Sequence, residues 1–284
     1  MLTATRRSGR PGTLGGALED QENLVRSSAG TTVAVGATGT WLGAVVALPL
    51  LAVAWESVQS GPGGFWSAVT TGDAVATLRT TVLLSLLVTV INMGFGLLVA
   101  WVLVRDDFPG KRAIDLLIDL PFALPTIVAS MVLVALYGRH GPLDLQYSAA
   151  GVTIALLFVT LPFVVRAVQP VLLESDADAE RAAASLGAGG TTIFGTLILP
   201  ALVPSLLTGA GLAFCRAVSE YGSVLLIGGM IPGRTEVSSG QIADLIGHGD
   251  RAGAAAVAVV LLVVSFALLT ALKALAARNR GWAR

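Results

Sequence analysis

Apolar residues in this chain collect into long, nearly unbroken stretches instead of alternating or returning on one helical face. A helix needs about 20 mostly apolar residues to cross roughly 30 Å of hydrocarbon, and five or six stretches reach that length. They run from about Thr32 to Ala54, Thr80 to Val104, Leu116 to Tyr137, Ala149 to Val168, Ile193 to Ile227 and Ala254 to Leu272. The second and sixth are clean. The third is broken by Pro121 and Pro125, the fourth by Pro162 and Arg166, and the fifth is too long and too interrupted for one simple span. Hydrocarbon offers no water to pair backbone groups, so stretches of this length are expected to be helices. The pattern predicts an all-α membrane protein with six transmembrane helices.

Composition agrees and removes other classes. Hydrophobic residues make up 54% of the chain and charged residues 13%, with a mean hydropathy of +0.79. A soluble domain carries about 25% charged residues, so a soluble enzyme is excluded. The 33 glycines and 12 prolines are tolerated inside membrane helices, because neighbouring helices re-satisfy the freed backbone groups. Lys+Arg and Asp+Glu balance at 18 each; with no block of positive charge, a nucleic-acid partner is not expected. Cys215 stands alone, so no internal disulfide forms. His140 and His248 lie in separate connections. No metal-ligand spacing and no P-loop appears, so no metal site, no catalytic set and no bound cofactor are expected.

The neutral total hides an uneven distribution. Thirteen of the 18 basic residues fall in the N-terminal tail, the second-to-third and fourth-to-fifth connections and the C-terminus. Basic connections stay on the cytoplasmic side, so both termini are expected there and the span count is even. The expected organisation is a disordered cytoplasmic tail (1–31), a first transmembrane helix (32–55), a main transmembrane domain (76–277) containing a cytoplasmic loop (173–192), and a C-terminal tail (278–284). Ala52-Val53-Ala54 imitates a signal-peptide cleavage site, but the apolar run is too long and the tail before it too extended for one.

The loop after the fourth stretch reads as a short amphipathic helix outside the membrane. Ser175 is placed to cap it, with Asp178 three residues on. Ala179, Ala182, Ala183 and Leu186 then share one face, and Gly187 stands where a C-terminal glycine ends a helix. A stripe of alanines lets a partner's backbone come close. A helix lying on lipid headgroups would instead carry Lys/Arg with bulky apolar residues, which favours a protein dock.

This loop resembles the cytoplasmic signature of bacterial ABC-importer permeases, Glu-Ala-Ala, three residues, Gly, nine residues, Ile, one residue, Leu-Pro. Ala182-Ala183, Gly187, Leu197 and Leu199-Pro200 stand at those positions. Arg181 replaces the motif's Glu, and the nearest acid is Glu180. DLPFALPT (119–126), LPFVVRAVQPVLLE (161–174), SEYGSVLLIGG (219–229) and RTEVSS (234–239) look like the sulfate/thiosulfate branch, and the first of these like its T-type subunit. The resemblance implies a type-I ABC importer permease fold and a transport subunit that is not itself an enzyme. It implies a W-type second permease, a cytosolic ATPase dimer that uses the ATP and Mg, an extracytoplasmic sulfate-binding protein, and a place in the bilayer. The coupling helix would comprise Ala179, Glu180, Arg181, Ala182, Ala183, Leu186 and Gly187. Arg181 puts the role of the family's glutamate in question at that position.

Ionisable residues among apolar ones mark candidate pathway positions. Asp119, Pro121, Pro125 and Thr126 interrupt the third stretch, either as a discontinuous helix near a pore or as a capped helix start with Pro121 in its first turn. Arg216 and Glu220 are four apart, so they form a self-neutralising pair, or, with Ser219, part of an anion's path, or they lie at an extracellular surface position. Arg166 is expected to snorkel to the interface. Two rivals remain: a molybdate or tungstate permease, and, remotely, a membrane-embedded hydrolase.

Overall fold

The computed structural model describes residues 28–175 and 177–280. Most of the expected tail 1–31 lies outside the described residues, as do 281–284. Every regular element among the described residues is a helix.

The chain divides into two compact units, Met1–Ala52 and Val53–Arg284. The described part of the first holds α1 (Ser28–Leu42), a wide π turn (Gly43–Ala47) and the start of α2 (Leu48–Ser57). Pro49 gives the π turn a cause. A proline inside a helix lacks an N–H and its ring collides with the carbonyl four residues back. Here the Leu48 amide bonds the Gly43 carbonyl, five residues back, and the widened turn makes room for the ring. The same device recurs before Pro200, where the Leu199 amide reaches the Phe194 carbonyl across the π turn Phe194–Ile198.

The second unit contains α3 (Gly61–Val69), α4 (Gly72–Arg105), α5 (Lys111–Ala123), α6 (Thr126–Tyr137), α7 (Ala149–Leu173), α8 (Ala177–Ser185) and α9 (Gly190–Ile193). The π turn then leads into α10 (Leu199–Val218), followed by α11 (Gly222–Gly228), α12 (Ser238–Gly247) and α13 (Arg251–Arg280). Val33–Ser57, α4, α7, the continuous Gly190–Val218 helix and α13 are each long and apolar enough to cross a membrane. Helices α5 and α6 together make a sixth apolar stretch that turns by 118°. The turn has a local origin. Leu124 precedes Pro125, is therefore pushed out of the helical region, and sits extended at φ −87°, ψ 134°. The short helices α3 and α12 had no expectation attached to them.

The core is built around α7, which packs on α4 and α10, while α10 packs in turn on α13. Two glycines set the closeness of this packing. A Cβ at Gly96 would stand 2.7 Å from Val164 Cγ1, and one at Gly209 would stand 3.0 Å from Val164 Cα. The backbones of α4 and α10 thus press on α7 at one level, as small residues permit in apolar bundles. One face of α4 is polar and buried: Thr77, Thr81, Ser85, Thr89 and Asn92. Thr77 donates to Gln241 at 2.6 Å, Thr81 to Ser238 at 3.2 Å and Asn92 to Thr160 at 2.8 Å. These bonds pin α4 to α12 and α7 where apolar contact alone would leave the helices free to slide. The end of α4, the end of α7 and α8 lie together at one end of the bundle, and Tyr147 bonds the Ile227 carbonyl at the other.

Candidate functional site

The α8 segment emerges almost without cover from its own chain. Ala179, Ala182, Leu186 and Gly187 are exposed and Ala183 is half-buried; Leu186 keeps 88% of its surface. The helix ends as its glycine dictates. Gly187 adopts φ +90°, a region that side chains resist. The amides of Gly187 and Ala188 bond the Ala184 and Ala183 carbonyls, closing a Schellman motif. The start differs from the expected cap: Ser175 donates to the Leu172 carbonyl and accepts from Arg105 at 2.7 Å. Glu180 turns inward and pairs with the same guanidinium, which lies 5.3 Å over the Trp101 ring. Arg181 faces out, 77% exposed, beside Asp178 at 3.0 Å. So the acid next to the motif position tethers α8 to the end of α4, and the arginine at the motif position is presented outward.

Arg166 does not snorkel. A guanidinium has five N–H donors, and here all five are taken. Nε and Nη2 grip both oxygens of Asp119 at 2.8 and 2.7 Å, and Nη1 reaches Asp115 Oδ1 and Gln169 Oε1 at 2.6 Å each. The last donor bonds the Asp115 carbonyl at 2.8 Å. Asp119 is therefore neither a helix cap nor beside the break. Its helix begins at Lys111, Asp119 and Pro121 lie inside it, and Asp119 clamps α5 to α7. The clamp borders a cleft of about 600 Å³ that Lys111, Arg112 and Asp107 also line.

Pro125, Thr126, Arg216, Ser219 and Glu220, drawn from two distant parts of the sequence, meet around one cavity of about 520 Å³. Both helix breaks open onto it, the α5–α6 break at Pro125 and the α10–α11 break at Ser219–Tyr221. Gly222 makes the junction possible, because a Cβ there would fall 2.2 Å from Thr126 Oγ1. Arg216 occupies the last turn of α10, with 30% of its side chain exposed, and Nη2 stands 2.5 Å from Glu220 Oε2. The Glu220 side chain is 1% exposed; Oε1 accepts from the Ser223 amide at 2.9 Å. Ser239 donates to the Glu220 carbonyl at 2.6 Å, which fixes the break from the other side. The other N–H groups of Arg216 have no protein partner among the described residues. Arg216 and Glu220 are the charges that line this cavity, so its net charge is zero.

The structure thus unites five of the seven candidate pathway residues and sends Asp119 and Pro121 elsewhere. Reasoning from sequence missed Asp115, Gln169 and Arg105. Asp115 and Asp119 had a partial signal: two carboxylates four apart in one helix need cations, and Lys111 and Arg112 on that helix lie within a turn of Asp115 but not of Asp119. Among the described residues no group of acids, histidines and the cysteine could hold a metal.

Comparison with known proteins agrees with this architecture. The family described as binding-protein-dependent transport system inner membrane component matches residues 92–281. The sulfate transport system permease protein CysT of Synechocystis sp. is 41% identical over 248 residues, 84% of this chain and 87% of its own. The protein of the same name from Salmonella typhimurium is 37% identical over 258 residues, 88% of this chain and 93% of its own. Among solved structures, a chain of a bacterial alginate ABC transporter superposes with a TM-score of 0.73 at 15% identity, covering 90% of this chain and 96% of that one. A chain of the MetNI methionine ABC transporter gives 0.54 at 19%, covering 74% and 99%. Those two show the fold, that of a type-I ABC importer permease. With two thirds of its length inside the family match, the chain belongs to the inner membrane components of binding-protein-dependent transport systems.

Proposed function

We propose that this chain is the sulfate- and thiosulfate-conducting permease subunit of an ATP-driven importer, a T-type subunit paired with a W-type one. Relatives that carry the sulfate name at 36–41% identity support the substrate. The distribution of basic residues supports cytoplasmic termini and a cytoplasmic α8. The chain binds no nucleotide; ATP and Mg act on a cytosolic ATPase dimer, and an extracytoplasmic binding protein delivers the anion. Closure of the ATPase pulls α8, and two links carry that pull into the bundle. One is the Glu180–Arg105 tether to α4; the other is the direct continuation of α7 into the α8 segment. The bundle then opens outward, and hydrolysis resets it.

The observation that carries the transport reading is the Arg216 cavity, where a cation with unused donors sits between two helix breaks beside the Thr126 and Ser219 hydroxyls. A charge at membrane depth is costly unless it serves a path or a partner. A tetrahedral oxyanion passing through this cavity would find donors without displacing a helix. The test is uptake of radiolabelled sulfate into proteoliposomes holding the complete complex. ATP-dependent uptake that excess thiosulfate suppresses and excess molybdate spares supports the reading. Stronger suppression by molybdate replaces it with the molybdate permease. In the same assay Gly187→Pro abolishes uptake while membrane insertion persists, and unchanged uptake removes α8 from the coupling path.

A further inference from the structure

We infer that Glu220 is a tethered counter-anion that holds Arg216 when no oxyanion is present and yields when one arrives. The inference rests on reading the Arg216 cavity as part of the anion's path. Glu220 is among the most deeply buried side chains of the molecule, and a buried carboxylate is costly unless paired and hydrogen-bonded. Its pairing is divided. Oε1 is anchored by the Ser223 amide, while Oε2 faces the Arg216 guanidinium at 2.5 Å. Arg216 also borders the open cavity, with donors left over. The pair is neutral, so an approaching divalent oxyanion meets no net positive charge at this site. It gains the full attraction of Arg216 only as Glu220 lets go, and it competes with a carboxylate that the Ser223 amide keeps at hand. The apparent affinity of such a site falls by the fraction of time Arg216 is free. Glu220 thus keeps the permease's own grip on the anion weak, as suits a conduit that must pass its cargo on.

The test is direct binding of radiolabelled sulfate to the purified complete complex without binding protein, alongside uptake with it. Glu220→Gln keeps an acceptor for the Ser223 amide and removes the competing charge. It should tighten sulfate binding on the order of tenfold if the carboxylate holds Arg216 ten times as often as not, and it should slow uptake per complex. Glu220→Asp, one methylene shorter, should tighten binding by a smaller factor. Wild-type affinity in both variants overturns the role of Glu220, as does failure of both to assemble, which would make the pair purely structural. Arg216→Gln separates the two claims. Normal uptake there overturns the path itself, whereas lost uptake with unchanged affinity in the Glu220 variants overturns the counter-anion alone.

Discussion

Two arginines in apolar helices meet opposite fates in this molecule. Arg166 spends every donor on Asp115, Asp119 and Gln169, so nothing remains for a ligand. Arg216 spends one edge on Glu220 and turns the rest toward a cavity lined by two helix breaks. In sequence both are single cations in apolar runs, Arg216 with an acid four residues on and Arg166 with none so near. What separates them is how completely the fold satisfies the guanidinium. A saturated cation is a clamp. An unsaturated one beside open space can exchange partners.

The sharpest way to break this contrast is to close the cavity without touching a charge. Gly222→Val places carbon atoms where Thr126 Oγ1 lies, 2.2 Å from the first of them. Overpacking of this kind costs about 1–3 kcal/mol, and transport per assembled complex should fall more than about tenfold because both helix breaks lose their junction. Uptake assays normalised to complex yield check it, and wild-type flux would mean that the anion passes elsewhere.

Arg166 should fail differently. Arg166→Ala strands two carboxylates that keep nearly half their exposure, so the loss is about 1–3 kcal/mol after solvent screening. It should appear as a lower thermal midpoint and reduced assembly. Adding Asp115→Asn and Asp119→Asn removes the stranded charges and should recover part of the midpoint. Surviving complexes should transport at close to the normal rate, and a per-complex collapse like that of Gly222→Val would erase the distinction.

Glu236 supplies a third case, an acid with no ion pair to an arginine among the described residues. It lies in the connection between α11 and α12. Burial holds its carboxyl above the ordinary range, and the charges of Asp244 and Asp73 push the same way. A raised pKa means the folded protein holds the proton more tightly than the unfolded chain does. Stability from this group is then full below the ordinary carboxylate pKa and is lost as pH rises through the raised value. Glu236→Gln should raise the thermal midpoint slightly at about pH 8 and leave it unchanged at about pH 3. Equal effects at both would assign the change to something other than charge.

Much of the fold was legible because its rules are one-dimensional. Unbroken apolar runs give helices, Leu124 before Pro125 gives a break, and Gly187 gives a helix end. The helix over Ala177–Ser185 followed from capping and spacing, with the start assigned to the wrong interaction of Ser175. The buried polar face of α4 was not legible, since threonines and serines barely disturb an apolar run and their partners on α12 and α7 are remote in sequence. The Arg166 clamp was lost for the same reason. Snorkelling is a property of one helix, whereas satisfaction by Asp115 and Asp119 needs a second helix brought alongside. Arg216, Ser219 and Glu220 were chosen for a local reason, charge at membrane depth. Their junction with Pro125 and Thr126 was visible only once two breaks met in space.

The central claim, that the anion passes Arg216, reduces to one measurement: radiolabelled sulfate uptake per assembled complex for Arg216→Gln and the wild-type chain side by side. Passage through this cavity predicts a fall of more than about tenfold per assembled complex, the scale of losing one charge-assisted contact of 1.4 kcal/mol or more, beyond the lower yield that the stranded Glu220 carboxylate brings. Equal uptake per complex would contradict it and return the Arg216–Glu220 pair to the scaffold.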